Sequence, residues 1–98
     1  MKRTIIFRPV ARAEYDHEIA YYDGQQAGLG KEFCSTIDEC LTEIVSTPLR
    51  YEMVVDDIRE CIVPRFPFAI YYRVVKNTVF VLSVHHTSRD PARWQSRH

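Results

Sequence analysis

Apolar positions recur along this chain with two periods, first the 3.6-residue repeat of a helix and later the two-residue repeat of a strand. Residues 3–8 form a short run that stops at Pro9 and predicts a first strand. Proline has its φ preset for a first helical turn, and beyond it Ala11, Tyr15, Ile19 and Tyr22 return at intervals of four, four and three. A helix starting near Pro9 follows, with Glu14, Asp16 and Glu18 on its other sides and Gly24 as its left-handed terminator. Leu29 to Ser46 carries the most regular pattern in the chain: Phe33, Ile37, Leu41 and Ile44 on one stripe, Cys40 and Val45 beside it, and Thr47-Pro48 closing it. The linker Ala27-Gly28-Leu29-Gly30 is short enough to force the two helices into an antiparallel hairpin, acidic outside through Glu32, Asp38, Glu39 and Glu43.

From Ile58 to Arg89 the period changes to two, and β-branched and aromatic residues dominate three runs of strand length. Pro64 and Pro67 cannot donate to a sheet ladder, so Arg65-Phe66 between them marks a bend, and Lys76-Asn77 between two alternating runs marks a tight hairpin in which Asn tolerates positive φ. Tyr51 to Val55 adds a further strand, with Asp56-Asp57 as the turn before Ile58. Alternation places Phe68, Ile70, Tyr72 and Val74 on one face of the middle strand and Phe80, Leu82 and Val84 on the matching face of the last, so these seven are the expected core. The opposite face carries Arg73 beside Tyr71 and Ala69, with Arg59 nearby if the register is simple. The expected fold is therefore α+β, an N-terminal strand and an antiparallel two-helix hairpin packed on a twisted antiparallel sheet.

At 98 residues the chain is expected to be one domain, 1–98, able to bury roughly 60–65% of its unfolded surface. No apolar run approaches the roughly 20 residues of a membrane span, and the N-terminal apolar stretch is too short for a secretion signal, so a cytoplasmic protein is expected. Cys34, Cys40 and Cys61 make an odd number without a Cys-x-x-Cys pair, which argues against a disulfide framework and a structural zinc site and for thiols in a reducing compartment. The net charge of zero conceals a segregation. Met1 to Asp57 has six Lys or Arg against eleven Asp or Glu, net −5; Ile58 to His98 has seven against two, net +5. Such asymmetry points to an acidic or polyanionic partner on the basic half.

Few constellations carry chemistry. His85 and His86 are adjacent, so on a strand they point to opposite faces and do not chelate one ion; no cofactor or metal motif and no glycine-rich phosphate loop is present. What remains is Arg59, Arg65, Arg73, His86 and Arg89 on or beside the strands, with Trp94 in the tail that follows. Metal-independent RNA cleavage needs a 2′-hydroxyl deprotonated, a phosphorane stabilised and a leaving oxygen protonated, tasks that suit histidine and arginine. The plainer alternative has Arg59 and Arg73 paired with helix-face acids, His86 satisfied at a strand end, and Trp94 folded back over the edge of the core.

The order and spacing of these residues resemble the RelE/ParE superfamily of bacterial toxins. The resemblance runs through Arg8-Pro9, Ala11, Glu14, Glu18-Ile19-Ala20-Tyr21-Tyr22, Gly28-Leu29-Gly30, Phe33, Ile58-Arg59, Arg65-Phe66-Pro67-Phe68, Ile70-Tyr71-Tyr72-Arg73-Val74, Val84-His85-His86-Thr87-Ser88-Arg89-Asp90-Pro91 and Trp94. It implies the toxin of a type II toxin–antitoxin (plasmid stabilisation) module, silenced by a cognate antitoxin encoded beside it. ParE-like members poison DNA gyrase and are not enzymes; RelE-like members are ribosome-dependent mRNA endonucleases. Tyr51-Glu52-Met53-Val54-Val55 stands where the ribosome-directed members carry lysines, which places this chain nearer ParE. The expected binding surface is then Arg59, Arg65, Arg73, Arg89 and Trp94, with His86 beside them. In the nuclease alternative His86 is acid or base and Arg65, Arg73 and Arg89 hold phosphate. A third reading is a degenerate toxin that only binds its antitoxin, and the residues leave open whether the chain forms a homodimer.

Overall fold

The computed structural model describes residues 3–95. Strand β1 (Thr4–Phe7) leads into helix α1 (Pro9–Gln25), which doubles back into α2 (Leu29–Ser46). A 3-10 turn (Pro48–Arg50) precedes β2 (Met53–Val55), β3 (Ile58–Ile62), β4 (Phe68–Val75) and β5 (Thr78–His86), and a short helix α3 (Ala92–Gln95) follows. The expected α+β architecture is present, with one difference in the sheet. Its order is β1-β5-β4-β3-β2, antiparallel throughout except that β1 runs parallel to β5, from Thr4 opposite Thr78 to Phe7 opposite Val81. The meander leaves the far side of β5 unpaired, and β1 takes that edge, tied at its ends by Thr4 N–H to Asn77 O and Arg8 N–H to Val81 O. The sheet is therefore mixed.

The helical hairpin turns at residues 26–28. The left-handed residue there is Gly28, at φ 88°, rather than Gly24, which lies inside α1. Gly28 donates its N–H to Asp23 Oδ1 at 3.0 Å, so the aspartate closes the turn that the glycine permits. Two residues on, the helices cross in contact: a Cβ on Gly30 would lie 2.5 Å from the Ile19 carbonyl oxygen. At the β4–β5 hairpin the positive φ falls on Lys76, at 54°, instead of Asn77, and at the Pro64–Pro67 bend it falls on Arg65, at 69°.

The main core lies between the hairpin and the sheet. Phe33, Ile37 and Ile44 of α2 meet Phe68, Ile70 and Tyr72 of β4 and Val79, Val81 and Val84 of β5. Tyr22, Phe33, Phe66 and Phe68 form an aromatic cluster with centroids 5.1–6.2 Å apart, mostly edge-to-face as ring quadrupoles favour. Tyr72 is fully buried, and its hydroxyl is satisfied by the Pro48 carbonyl at 2.6 Å.

Of the seven expected core residues, Phe80 and Leu82 sit on the opposite face. The reason is a β-bulge: Tyr72 pairs with Val81 and Tyr71 with Ser83, so Leu82 is an extra residue on β5. The insertion reverses the alternation, so Val79, Val81 and Val84 all reach the helices while Phe80 and Leu82 do not. Glu14 of α1 completes the distortion, its Oε1 accepting the Ser83 hydroxyl at 2.9 Å and the Val84 N–H at 3.2 Å.

The outer face of the sheet is also partly covered. Ile58, Ala69, Tyr71 and Leu82 form a second apolar cluster under Trp94 of α3, whose ring stacks on Tyr71 at 3.7 Å and 14°. The tail thus folds back over the sheet, the plainer of its two readings; its residues 96–98 lie outside the described residues. Among the described residues no helix is long and apolar enough to cross a membrane.

Candidate functional site

The arginines singled out from the sequence do not share one surface. Arg59 pairs with Tyr72 across β3 and β4 and takes the helix side of the sheet, not the outer side; its Nη1 donates to the Tyr51 carbonyl at 2.6 Å and the Leu49 carbonyl at 3.2 Å. It ties the loop before β2 to the sheet. Arg65 reaches α2, donating from Nη2 to Thr36 Oγ1 at 2.6 Å. Arg73 does lie on the outer face, where its Nε donates to both oxygens of Asp57 at 2.8 and 3.0 Å. Arg89 pairs with Glu18 of α1 at 3.1 Å. Trp94 is 2% exposed and committed to Tyr71, while that tyrosine is driven above its ordinary pKa by burial and by its hydrogen bond to Glu60.

Two places nevertheless gather functional chemistry. The first is a cleft between α1 and the segment after β5, about 350 Å³, lined by His17, Glu18, Tyr21, Tyr22, His86 and Arg89. The cleft continues past Glu14 and Arg93. His85 and His86 diverge as adjacent strand residues must: His85 meets Tyr71 on the outer face, and His86 meets Phe68 on the inner one. His86 Nδ1 accepts the Ser88 backbone N–H at 3.2 Å, with Ser88 Oγ at 2.7 Å. An amide only donates, so in the neutral ring the proton sits on Nε2 and the imidazole offers a donor rather than a base on that side. Glu18, only 4% exposed in its side chain, decides the electrostatics. Drawing Arg89 away to hold a phosphate would leave the buried Glu18 carboxylate without the guanidinium that pairs with it at the cleft's edge.

The second place is the open end of the outer sheet face. Arg8, at the start of α1, holds its guanidinium over the Phe80 ring at 5.4 Å, and Arg73 lies across from Phe80 on β4. One cation thus covers the ring while a second, held by Asp57, stands at the neighbouring position across the sheet, and cation–π attraction and interface composition both favour arginine beside an aromatic. No group of three or more His, Cys, Asp or Glu among the described residues is placed to hold a metal ion.

Residues 5–91 match the family model described as ParE toxin of type II toxin-antitoxin system, parDE. The chain belongs to the ParE toxin family. A solved structure of the chromosomal ParDE TA system from P. aeruginosa holds a chain that superposes on this ParE-family fold with a TM-score of 0.75 at 16% identity, over 87% of this chain and 96% of that one. At that identity the likeness speaks for the fold alone. A search of curated proteins finds no match. For a ParE-family chain, the residues that sequence reasoning missed are Arg8, Phe80, His17 and Glu18. Glu18 had a signal: it stands on the Ala11-Tyr15-Tyr22 stripe of α1, where a carboxylate facing the core demands a cationic partner. Phe80 had none, because the bulge that turns it outward leaves no local trace in the pattern.

Proposed function

We propose that this ParE-family chain is the working toxin of its module, that it acts in the cytoplasm by binding DNA gyrase, and that a cognate antitoxin neutralises it by occupation. The observation that carries this over the nuclease reading is that the three arginines and one ring nitrogen assigned to cleavage are held by four separate partners. Arg65 is held by Thr36, Arg73 by Asp57 and Arg89 by Glu18, while His86 Nδ1 is occupied by Ser88. No single phosphate draws on all of them without breaking several contacts, whereas binding a protein requires only a rigid patch. The outer-face group of Arg8, Phe80 and Arg73 supplies one. A disordered acidic antitoxin segment complements the +5 half of the chain while covering exposed Ile62 and Met53 along the sheet edge.

Induction of the isolated chain in bacteria, with transcript integrity and DNA breaks followed together, separates the readings. The gyrase reading expects double-strand breaks and an SOS response with intact mRNA. Rapid cuts within translated codons and no SOS response would overturn it in favour of the nuclease, and absence of any growth arrest would select a degenerate toxin. Arg73→Ala is expected to abolish arrest with the fold intact; a variant that melts lower yet stays toxic would make Arg73 structural.

A further inference from the structure

The sheet ends at β1, and among the described residues one side of that strand meets no other strand. Thr4 and Arg8 donate their N–H groups to Asn77 and Val81, each at 2.9 Å, and along a parallel ladder only every second residue turns that way. The N–H and C=O groups of Ile5 and Phe7 therefore point away from β5, in the plane of the sheet. An edge of this kind is a template for one more strand. Both of its sides are shaped. On the helix side a groove of about 600 Å³ separates β1 from α2, lined by Arg3, Ile5, Asp38, Leu41, Thr42 and Val45. Its α2 residues stand at the spacing of one helix face, and Arg3 donates from Nη1 to the Val45 carbonyl at 2.8 Å. On the outer side Ile6 is 45% exposed next to Phe80, its partner on β5. Arg8 covers that ring from one end of β1, and the hairpin that carries Lys76 bonds to Thr4 at the other end. Neither cation has a carboxylate partner among the described residues. The nearest acids of the outer face lie across the sheet and are engaged, Asp57 by Arg73 and Glu60 by Tyr71.

We propose that the free edge of β1 receives an extended segment of a partner protein as an added strand, apolar on the helix side and acidic on the outer side. Strand geometry sets that pattern, because alternate side chains of an incoming strand point to opposite faces. One set enters the groove against Ile5, Leu41 and Val45. The other set lies beside Ile6, between Lys76 and Arg8, where carboxylates complement both cations. Asp38 lines the groove and repels a carboxylate on the helix side, so the two sides select opposite chemistry. Main-chain bonds to Ile5 and Phe7 fix the register, and Pro9, which has no N–H, ends the ladder. This seat is at the opposite edge of the sheet from Met53, so it stands apart from the antitoxin contact proposed above and does not depend on it.

The test titrates the full chain with the end-blocked peptide Glu-Val-Glu-Val-Glu-Val and follows amide hydrogen exchange residue by residue by NMR. Exchange at Ile5 and Phe7 is expected to slow by about tenfold or more, while Ile6, already bonded to β5, changes little. The counterpart with Lys in place of Glu, and the Glu peptide methylated at every backbone N–H, are each expected to bind about tenfold more weakly or worse. Arg8→Glu, on an exposed side chain, is expected to shift the preference toward the Lys peptide by about tenfold. Unchanged exchange at Ile5 and Phe7, equal binding of the methylated peptide, equal or better binding of the Lys peptide to the parent chain, or an unshifted preference in Arg8→Glu would each overturn the proposal. Slowing of those two amides without peptide, as protein concentration rises, would overturn it too, by giving the edge to a second copy of this chain.

Discussion

Replacing Glu14 with alanine removes one acceptor from two buried donors. Its Oε1 receives the Ser83 hydroxyl and the Val84 N–H, and those residues are 0% and 1% exposed. An orphaned buried donor costs about 1–3 kcal/mol. The hydroxyl can rotate toward another acceptor, but the amide is fixed by the bulge, so the loss is expected at about 2–4 kcal/mol. The better helix propensity of alanine returns less than about 0.5 kcal/mol. Against a whole-domain stability of roughly 5–15 kcal/mol, that is a large fraction. Glu14→Gln keeps an oxygen in place and forfeits only the charge assistance, about 1 kcal/mol. Urea unfolding followed by circular dichroism measures all three, and adding Ser83→Ala to Glu14→Ala is expected to recover part of the loss as a coupling term. A Glu14→Ala variant within about 0.5 kcal/mol of the parent, or a Glu14→Gln variant equally damaged, would refute the view that α1 sustains the bulge by accepting those bonds.

Three further outcomes are expected. Trp94→Ala uncovers Tyr71 and Leu82 and is expected to lower stability by about 3 kcal/mol or more in urea unfolding, and a loss under about 1 kcal/mol would show that α3 contributes little cover. Gly30→Ala is expected to destabilise by about 1–3 kcal/mol because its Cβ meets the Ile19 carbonyl, whereas Gly24→Ala, with nothing within 4 Å, is expected to stabilise by about 0.5–1 kcal/mol; equal signs in thermal melts would contradict the crossing geometry. Tyr51 is pushed up to about 12 by burial, by the neighbouring Cys61 and by its hydrogen bond to Glu43, from an ordinary value of 10.0. The unfolded chain therefore releases that proton first, and stability is expected to fall as pH rises from the lower value to the higher; Tyr51→Phe should flatten that slope in alkaline urea titrations, and an unchanged slope would speak against it.

The parts of this fold that were readable in the residues are those set by neighbours in sequence. The stripe of α2, the bend between Pro64 and Pro67 and the hairpin at Lys76-Asn77 rest on spacing and on backbone chemistry within a few positions, and the structure places each element accordingly. What escaped depends on partners far along the chain. The parallel seat of β1 is set by which strand edge is left vacant, the bulge at Leu82 by a glutamate on α1, and the helix-side direction of Arg59 by the carbonyls of Leu49 and Tyr51. The same limit applied to the candidate site. Periodicity located Arg73 on the outer face, but it could not show that Asp57 would hold it, nor that Arg8 would lean over a phenylalanine expected in the core.

The seating of β1 against β5 also sets a timetable for synthesis. Thr4 finds its partner only at Thr78, and at about 5–20 residues per second the ribosome needs roughly 4–15 s to travel between them. During that interval the first strand has no ladder to join, the helices have no sheet to cover, and the outer patch of Arg8 and Phe80 does not yet exist. In a nascent chain of this kind the surfaces come into being together, late, and after synthesis of nearly every residue that builds them.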